Sequence, residues 1–272
     1  ETDEVSKVVE TIVSNAPDIL VLQSTDYDAQ GTAARALSDL IASDGLDLLY
    51  AFMPQTNTGI PTGIDIDGDG RINAPRDAQG YGRYPGQASI AILSRYPIAK
   101  DDALNFTDVL WKDAAPDTDL TLLIPEEAIG LQRLASVSLA AIPIDHPDGR
   151  IWILTHHATP PVFDGPEDRN GYRNADENRF WLDQLEKGFV DEPYVLAAQM
   201  NVDPQRGEGH HDVIDEVLSS RYFVDPMQNW PTQDNHSVTY KTPGPGKLRA
   251  SYVLPSPELR LVETGMSKDM AA

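Results

Sequence analysis

Apolar residues recur along this chain with two different spacings, and each spacing predicts one type of element. Between residues 5 and 13, valine and isoleucine repeat at helical spacing, which predicts an amphipathic helix capped by Thr2 or Asp3. Apolar runs at residues 18–23 and 89–94 predict strands, and the first is expected to be a buried parallel strand. The chain therefore begins as a mixture of helix and strand.

The alternation of helices and strands continues over the rest of the chain. Further helices are predicted near residues 32–43, 174–187 and 211–219, and further strands near 48–52, 136–144, 150–155, 194–198, 248–254 and 259–263. Because no internal repeat or low-complexity linker interrupts this mixture, it predicts one α/β domain over residues 1–272. Long loops rich in glycine, proline and aspartate follow several strand ends, where functional residues usually lie.

The composition restricts the classes of partner. The 272 residues include 43 acidic and 21 basic side chains, for a net charge of −22, and no cysteine. Disulfides and thiolate sites are thus excluded, and so negative a field repels nucleic-acid backbones and anionic membranes. No apolar run approaches the roughly 20 residues of a membrane-spanning helix. We expect a monomer that binds neither nucleic acid nor membrane. The acidic bias and the absence of cysteine fit an exported protein, extracellular or periplasmic, and the start without a signal peptide suits a mature or trimmed form.

The run that starts at Asp65 and reads Asp-Ile-Asp-Gly-Asp-Gly-Arg has the spacing of a calcium loop. Gly70 occupies the sixth position, where the loop turns sharply. The twelfth position is Arg76, whose side chain cannot ligate a cation, so the next residue is expected to close the shell. The predicted ligands are Asp65, Asp67, Asp69, the backbone carbonyl of Arg71, and Asp77. The sequence predicts a structural calcium site, and the alternative is a solvated acidic turn.

Five segments carry motifs that occur together, in this order, in one group of proteins. They are Pro17-Asp-Ile-Leu-Val-Leu-Gln23, Ile90-Ala-Ile-Leu-Ser-Arg-Tyr-Pro97, Thr155-His-His-Ala-Thr-Pro-Pro-Val-Phe-Asp-Gly-Pro-Glu-Asp-Arg-Asn-Gly171, Met200-Asn-Val-Asp-Pro204 and Tyr252-Val-Leu-Pro-Ser256. Over nearly the whole chain they resemble the endonuclease/exonuclease/phosphatase superfamily, and bacterial members in particular. The resemblance implies a DNase I-like fold, which is a four-layer α/β sandwich of two packed mixed sheets flanked by helices. Active members hydrolyse phosphodiesters or phosphomonoesters with Mg²⁺ or Mn²⁺.

The resemblance marks four residues as retained from the catalytic site. His157 matches the family's histidine at a strand end, and Asn201 matches the asparagine of its Gly-Asp-x-Asn motif. Asn174 and Asp176 remain near them. In such chemistry, histidine and asparagine stabilise charge that develops on the phosphoryl group, while carboxylates hold the metal.

Four other family positions hold different residues in this sequence. By resemblance, Ser24 replaces a glutamate, Gln199 an aspartate, Ser251 an acidic residue, and Ala175 a histidine. Mg²⁺ needs anionic oxygen at its few protein contacts, which hydroxyl and amide groups do not supply. The replacements therefore predict the loss of a metal site around one cleft. The resemblance also implies that the family's first strand and its closing Ser-Asp-His segment are absent from this sequence.

Three interpretations follow from these replacements. The first is a pseudoenzyme or a redesigned protein, whose neutral cleft holds a small-molecule ligand or none. The second is a residual phosphoesterase that uses His157, Asn201, Asp176 and a weakly held Mg²⁺ or Mn²⁺ ion. The third is new hydrolytic chemistry, in which a histidine at 156 or 157 activates one of the two introduced serines. We favour the first interpretation.

Overall fold

Two β-sheets pack face to face with helices against both outer faces, which confirms the predicted four-layer α/β sandwich. The computed structural model describes residues 2–231, 234–241 and 244–266. The strands are β1 (Ile19–Thr25), β2 (Tyr50–Phe52), β3 (Ser89–Ser94), β4 (Leu104–Asn105), β5 (Leu139–His146), β6 (Gly149–His156), β7 (Tyr194–Gln199), β8 (Val238–Thr239), β9 (Lys247–Leu248) and β10 (Ser251–Pro255). The helices are α1 (Asp3–Asn15), α2 (Thr32–Ser43), α3 (Trp111–Ala114), α4 (Glu126–Ile129), α5 (Arg169–Glu186) and α6 (His211–Ser219), with short 3₁₀ turns at Pro75–Asp77, Lys100–Asp102 and Leu120–Leu122.

The two sheets differ in size and in strand direction. The smaller sheet has the order β1-β3-β2 and is antiparallel throughout. The larger sheet has the order β10-β7-β6-β5-β4, and only its central pair, β6 and β7, is parallel. Helix α5 connects these two strands, as parallel neighbours require a crossover. The strands β8 and β9 form a separate antiparallel ribbon.

Strand β3 shows how the apolar pattern builds the layers. All six of its residues are buried. Ile92 packs into the cluster between the two sheets, whereas its neighbours Ala91 and Leu93 pack into the cluster under α1 and α2. Successive side chains of a strand point to opposite faces, so an uninterrupted apolar run fills both layers at once. The third and largest cluster lies under α5 and α6, with Trp181 fully buried at its centre.

The predicted direction of β1 is wrong, because this strand is antiparallel to its partner β3. Leu20 and Leu22 face the helices, and Ile19 and Val21 face the opposite sheet. A continuous apolar run indicates that both faces of a strand are buried. A strand in the middle of a sandwich is buried on both faces whether its neighbours are parallel or antiparallel to it. Direction is therefore not encoded in the run.

Three predicted boundaries also need correction. No strand forms at 259–263, where Val262 is 79% exposed and has no sheet to cover it. The predicted strand at 248–254 is divided, because the carbonyl of Ala250 accepts hydrogen bonds from Met200 and Asn201 between the two pieces. Helix α5 starts at Arg169, before the predicted residue 174. Among the described residues, no helix combines the length and apolar character needed to cross a membrane.

A buried ion pair fixes the segment between β9 and β10. The guanidinium of Arg249 donates to both carboxylate oxygens of Asp225 over 2.7 and 2.8 Å, and both side chains are almost fully buried. The guanidinium also lies 4.3 Å from the ring centre of Tyr252. The backbone N–H of Arg249 donates to Asp203, itself paired with Arg206. These charges are compensated within the protein, so we assign them a structural role.

Candidate functional site

The ends of three neighbouring strands bring together Gln199, Ser251 and His157. Gln199 is the last residue of β7 and lies opposite Ser251, the first residue of β10. His157 follows β6 and forms a bridge with Gln199 on the other side. The strand order β10-β7-β6 therefore places the three residues side by side.

Hydrogen bonds between neutral groups join these strand ends to Asn201. The Ser251 hydroxyl donates to Gln199 Oε1, and Gln199 Nε2 donates to Asn201 Oδ1 over 2.7 Å. Asn201 Nδ2 then donates to the carbonyl of Ala158, also over 2.7 Å. None of the groups in this series of hydrogen bonds is charged. Both the oxygen and the nitrogen of the Asn201 side-chain amide are bonded within the protein.

Ser24, near the end of β1 in the smaller sheet, follows Gln23, which lies close to these strand ends. It is the residue that a bulge in β1 leaves unpaired, and it is exposed. Its neighbour Gln23 approaches the larger sheet, where Gln23 Nε2 lies 3.5 Å from the carbonyl of His156. Ser24 and Asn201 both adopt left-handed backbone conformations, with φ of +63° and +56°. Such a conformation costs most non-glycine residues about 1 kcal/mol, although asparagine tolerates it better.

A cavity of about 420 Å³ lies between the two sheets next to these strand ends. Its described lining comes from β1, β6, β7 and β10, and it contains no acidic side chain. The polar members of the lining are Gln23, Ser251 and Tyr252, and the hydroxyl of Tyr252 donates to the carbonyl of Val202 instead. The cleft is thus apolar inside and neutral at its mouth.

His157, which follows β6 beside Gln199, is a neutral imidazole. Burial lowers its pKa from 6.5 to about 4, so the ring carries no charge near pH 7. Its Nδ1 atom is buried and has no hydrogen-bond partner among the described residues. No carboxylate is hydrogen-bonded to Nδ1 within the part of the chain that the structure describes, and a pKa of about 4 makes the ring a weak base near neutral pH.

His156, the neighbouring histidine, is fixed by a directional network under the cleft. Trp181 Nε1 donates to His156 Nδ1 over 3.1 Å, so the ring proton lies on Nε2, 2.9 Å from Asn178 Oδ1. Asn178 Nδ2 in turn donates to Asn174 Oδ1 and to the carbonyl of Met200. Burial lowers the pKa of His156 to about 4. The network anchors α5 to the ends of β6 and β7.

The sequence profile of the Endonuclease/Exonuclease/phosphatase family matches residues 2–269. The chain belongs to this family. A search among curated proteins finds no significant match in sequence.

Solved structures of family members share the fold. An endonuclease/exonuclease/phosphatase from Beutenbergia cavernae is 19% identical with a TM-score of 0.61, and the match covers 94% of this chain but 59% of that protein. A family protein from Leptotrichia buccalis is 14% identical, TM-score 0.57, with 95% and 82% of the two chains covered. Sphingomyelinase C from Streptomyces griseocarneus is 16% identical, TM-score 0.51, with 93% and 76% covered. At these identities the likeness extends to the fold alone.

Two of the predicted family positions, Ala175 and Asp176, do not face the cleft. Asp176 accepts hydrogen bonds from Trp111 Nε1 over 2.6 Å and from Thr118 Oγ1 over 2.8 Å. Successive residues of a helix are rotated by about 100° around its axis. Asn174 faces the end of β7, where it donates to the carbonyl of Met200, so Ala175 and Asp176 point in other directions. Of the four replaced positions, Gln199 and Ser251 therefore meet at the strand ends, and Ser24 follows Gln23, which lies close to them. The fourth, Ala175, lies on another face of α5.

Glu177 is a residue of this region that the motifs did not indicate. Its buried carboxylate accepts from the backbone N–H and hydroxyl of Ser136 over 2.6 and 2.7 Å, and from the Thr159 N–H over 2.6 Å. Burial raises its pKa, while the charge of Arg173 opposes that rise. The signal was present in the sequence as polar residues at helical spacing, namely Asn174, Glu177 and Asn178. Glu177 tethers the loop after His157 to α5.

The acidic loop brings three of its predicted ligands together. Carboxylate oxygens of Asp65, Asp67 and Asp77 all lie within 4.8 Å of one another. Asp77 is buried and accepts from the N–H groups of Ile66 and Ala74 over 2.9 Å each, so its position is fixed from within the loop. The fourth predicted carboxylate, Asp69, is outside this group and accepts from the Arg71 N–H instead.

Proposed function

We propose that this member of the family does not hydrolyse phosphoesters and that its former catalytic cleft is a neutral, non-catalytic one. The observation that carries the proposal is the distribution of metal-binding side chains. Within the described ranges, the only group of three acidic or histidine side chains with ligand atoms close together is in the acidic loop. The cleft offers one neutral histidine and the amide of Asn201.

The hydrogen bonds of the cleft support this proposal. Where the resemblance implies two carboxylates, Gln199 and Ser251 bond to each other. The amide nitrogen of Gln199 donates to Asn201 Oδ1, the oxygen that would otherwise be free to accept from a bound group. A metal ion or a phosphoryl group would have to break these bonds without an anionic ligand to compensate. The net charge of −22 further opposes binding of a polyanionic substrate.

The alternative of a new serine nucleophile receives no support from the geometry. His156 is bonded to Trp181 and Asn178 and is buried, and the hydroxyl of Ser251 donates to Gln199. A serine nucleophile requires a base within hydrogen-bond reach. Among the described residues, no histidine is hydrogen-bonded to Ser24 or Ser251.

The first test is hydrolysis of bis(p-nitrophenyl) phosphate with Mg²⁺ or Mn²⁺. We expect the protein to give no turnover above the blank, because no carboxylate at the cleft holds the ion. Turnover that chelation abolishes and that Asn201→Ala removes would contradict the proposal and favour a residual phosphoesterase.

Metal binding gives a second readout for the same proposal. In an Asp67→Asn background, which weakens the acidic loop, the triple variant Ser24→Glu, Gln199→Asp, Ser251→Asp is expected to bind Mn²⁺ by electron paramagnetic resonance. The matched neutral variant, Ser24→Gln, Gln199→Asn, Ser251→Asn, is expected not to bind it. Equal Mn²⁺ binding by the neutral variant would show that charge at these positions does not decide metal binding.

We also propose that the acidic loop binds calcium with a structural role. Support comes from the convergence of Asp65, Asp67 and Asp77, whose carboxylate oxygens lie within 4.8 Å of one another. The pairing of Arg76 with Asp67 at 3.9 Å weakens the site electrostatically. We therefore expect a dissociation constant of roughly 10⁻⁴–10⁻³ M, the range of extracellular calcium modules. This range fits the proposed extracellular or periplasmic location.

Calcium titration into chelator-treated protein tests this site. A ligand at about 100 times its dissociation constant stabilises the folded state by about 2.7 kcal/mol, so we expect a rise in melting temperature. Asp77→Asn should abolish most of that rise, and Asp69→Asn, which changes a carboxylate outside the group, should change it less. A titration that gives neither heat nor a melting shift would disprove the calcium site.

A further inference from the structure

A second cavity, of about 410 Å³, lies between the acidic loop and the start of α5, apart from the cleft between the sheets. Its lining combines three arginines, Arg76, Arg169 and Arg173, with the aromatic rings of Trp111, Tyr81 and Phe163. None of the described residues that line it is acidic. In a chain with 43 acidic and 21 basic residues, a wall with three cations and no carboxylate is an unusual concentration of positive charge.

The arginines retain hydrogen-bonding capacity that the described protein groups do not use. Arg173 donates from Nε and Nη2 to backbone carbonyls, and its Nη1 has no acceptor among the described residues. Arg169 donates only from Nη1, to the carbonyl of Ile66 over 3.1 Å. Burial lowers the pKa of Arg173 to about 10, while the carboxylate of Glu177 opposes that shift and the positive charge of Arg169 adds to it. Both guanidinium groups remain charged at neutral pH, Arg173 is partly balanced by Glu177, and a bound anion would be attracted to the remaining positive charge.

Phe163 supplies an independent observation that points to a ligand. Its backbone has φ of +72°, a conformation that bulky residues rarely adopt, and its ring is 75% exposed. Strained conformations persist where they serve function. The strain presents an apolar ring at the edge of a cationic cavity, beside Tyr81, which is 61% exposed. A planar ligand stacked on these two rings would cover their exposed apolar surface, which favours binding.

We propose that this cavity binds a small organophosphate or organophosphonate, with its dianionic head among the arginines and its planar ring against Phe163 and Tyr81. The guanidinium fork matches phosphate oxygens in pairs, and a buried arginine, Arg173, beside the half-buried Arg169 suits a double negative charge. The volume of about 410 Å³ fits a molecule of small-ligand size. This site is independent of whether the cleft at Asn201 hydrolyses phosphoesters.

Isothermal titration with three matched probes tests the proposal. Phenylphosphonate carries both ring and dianion and cannot be hydrolysed by a phosphoesterase, methylphosphonate lacks the ring, and benzyl alcohol lacks the charge. We expect phenylphosphonate to bind at least about tenfold more tightly than either of the others. No binding of phenylphosphonate up to about 10 mM, or equal binding of methylphosphonate, would overturn the proposal. Tighter binding of benzoate would overturn the choice of a dianion.

Variants locate the binding and separate it from folding. Arg169→Gln is expected to weaken phenylphosphonate binding by about tenfold or more, since it removes a charged donor. Arg95→Gln, a surface arginine of the smaller sheet paired with Asp18, is expected to leave binding unchanged. Phe163→Gly relieves the positive φ, so it should weaken binding while leaving the melting temperature of the free protein unchanged or higher. Unchanged affinity in both Arg169→Gln and Phe163→Gly would place the probe elsewhere and overturn the site.

Discussion

Replacement of Asp225 by alanine is expected to lower the free energy of unfolding by about 3–5 kcal/mol. The Arg249 guanidinium is bidentate to Asp225, and the two side chains are only 2% and 7% exposed. Without the carboxylate, a buried cation is left with no counter-charge, and its desolvation is no longer compensated. The measurement is urea denaturation of parent and variant at neutral pH.

An exposed ion pair provides the matched control. Asp102 pairs with Arg150 over 2.8 Å, but the Asp102 side chain is 54% exposed. Asp102→Ala should therefore cost less than about 1 kcal/mol. A double variant, Asp225→Leu with Arg249→Met, should cost less than Asp225→Ala alone, because it removes the uncompensated charge together with its partner. Equal losses for Asp225→Ala and Asp102→Ala would refute the role given to burial.

The stability of the protein should fall as the pH is lowered from about 6.5 toward 4, by up to about 3 kcal/mol for His156 alone. Burial lowers the pKa of His156 from 6.5 to about 4 in the folded protein. Because the pKa of His156 is lower in the folded protein than in the unfolded chain, the unfolded chain binds this proton more readily. Acid therefore favours unfolding between the two pKa values. Protonation also forces Nδ1, which accepts from Trp181, to become a donor.

His156→Gln isolates this contribution. Glutamine can accept from Trp181 and donate to Asn178 but does not titrate in this range. The difference in unfolding free energy between parent and variant should therefore change by about 2 kcal/mol between pH 6.5 and pH 5. Glu177 has a raised pKa and acts with the opposite sign, but it is present in both proteins and cancels in the difference. Parallel pH profiles would refute the assignment.

Much of the layer structure could be predicted from the sequence, because burial on both faces leaves a continuous apolar run. Such runs located β1, β3 and β7, and helical spacing located α1 capped by Thr2. Strand direction could not be predicted in the same way, since β1 would look the same in either orientation. The absence of a strand at 259–263 likewise depends on whether another strand is available to pair with it, which is a property of the folded chain.

The candidate site was predictable where it depends on strand ends and less so where it depends on a helix face. Gln199 and Ser251 meet because their strands pair, and the motifs place them at the right ends. The family resemblance grouped Asp176 and Ala175 with them, whereas the rotation of α5 turns both toward another surface. Arg173 carried no motif at all, and only the packing of α5 against the carbonyl of Leu134 and its neighbours shows where its charge lies.

Ile66 belongs to both of the proposed binding sites. Its N–H donates to Asp77 in the acidic loop, and its carbonyl accepts from Arg169 in the cationic cavity. An ion that orders the loop therefore also positions one of the arginines that would receive an anion. Binding free energies are reciprocal, so any factor by which calcium raises the affinity for the anion is the factor by which the anion raises the affinity for calcium. A cation and an anion, bound at separate places, would thus report on each other through the backbone of a single residue.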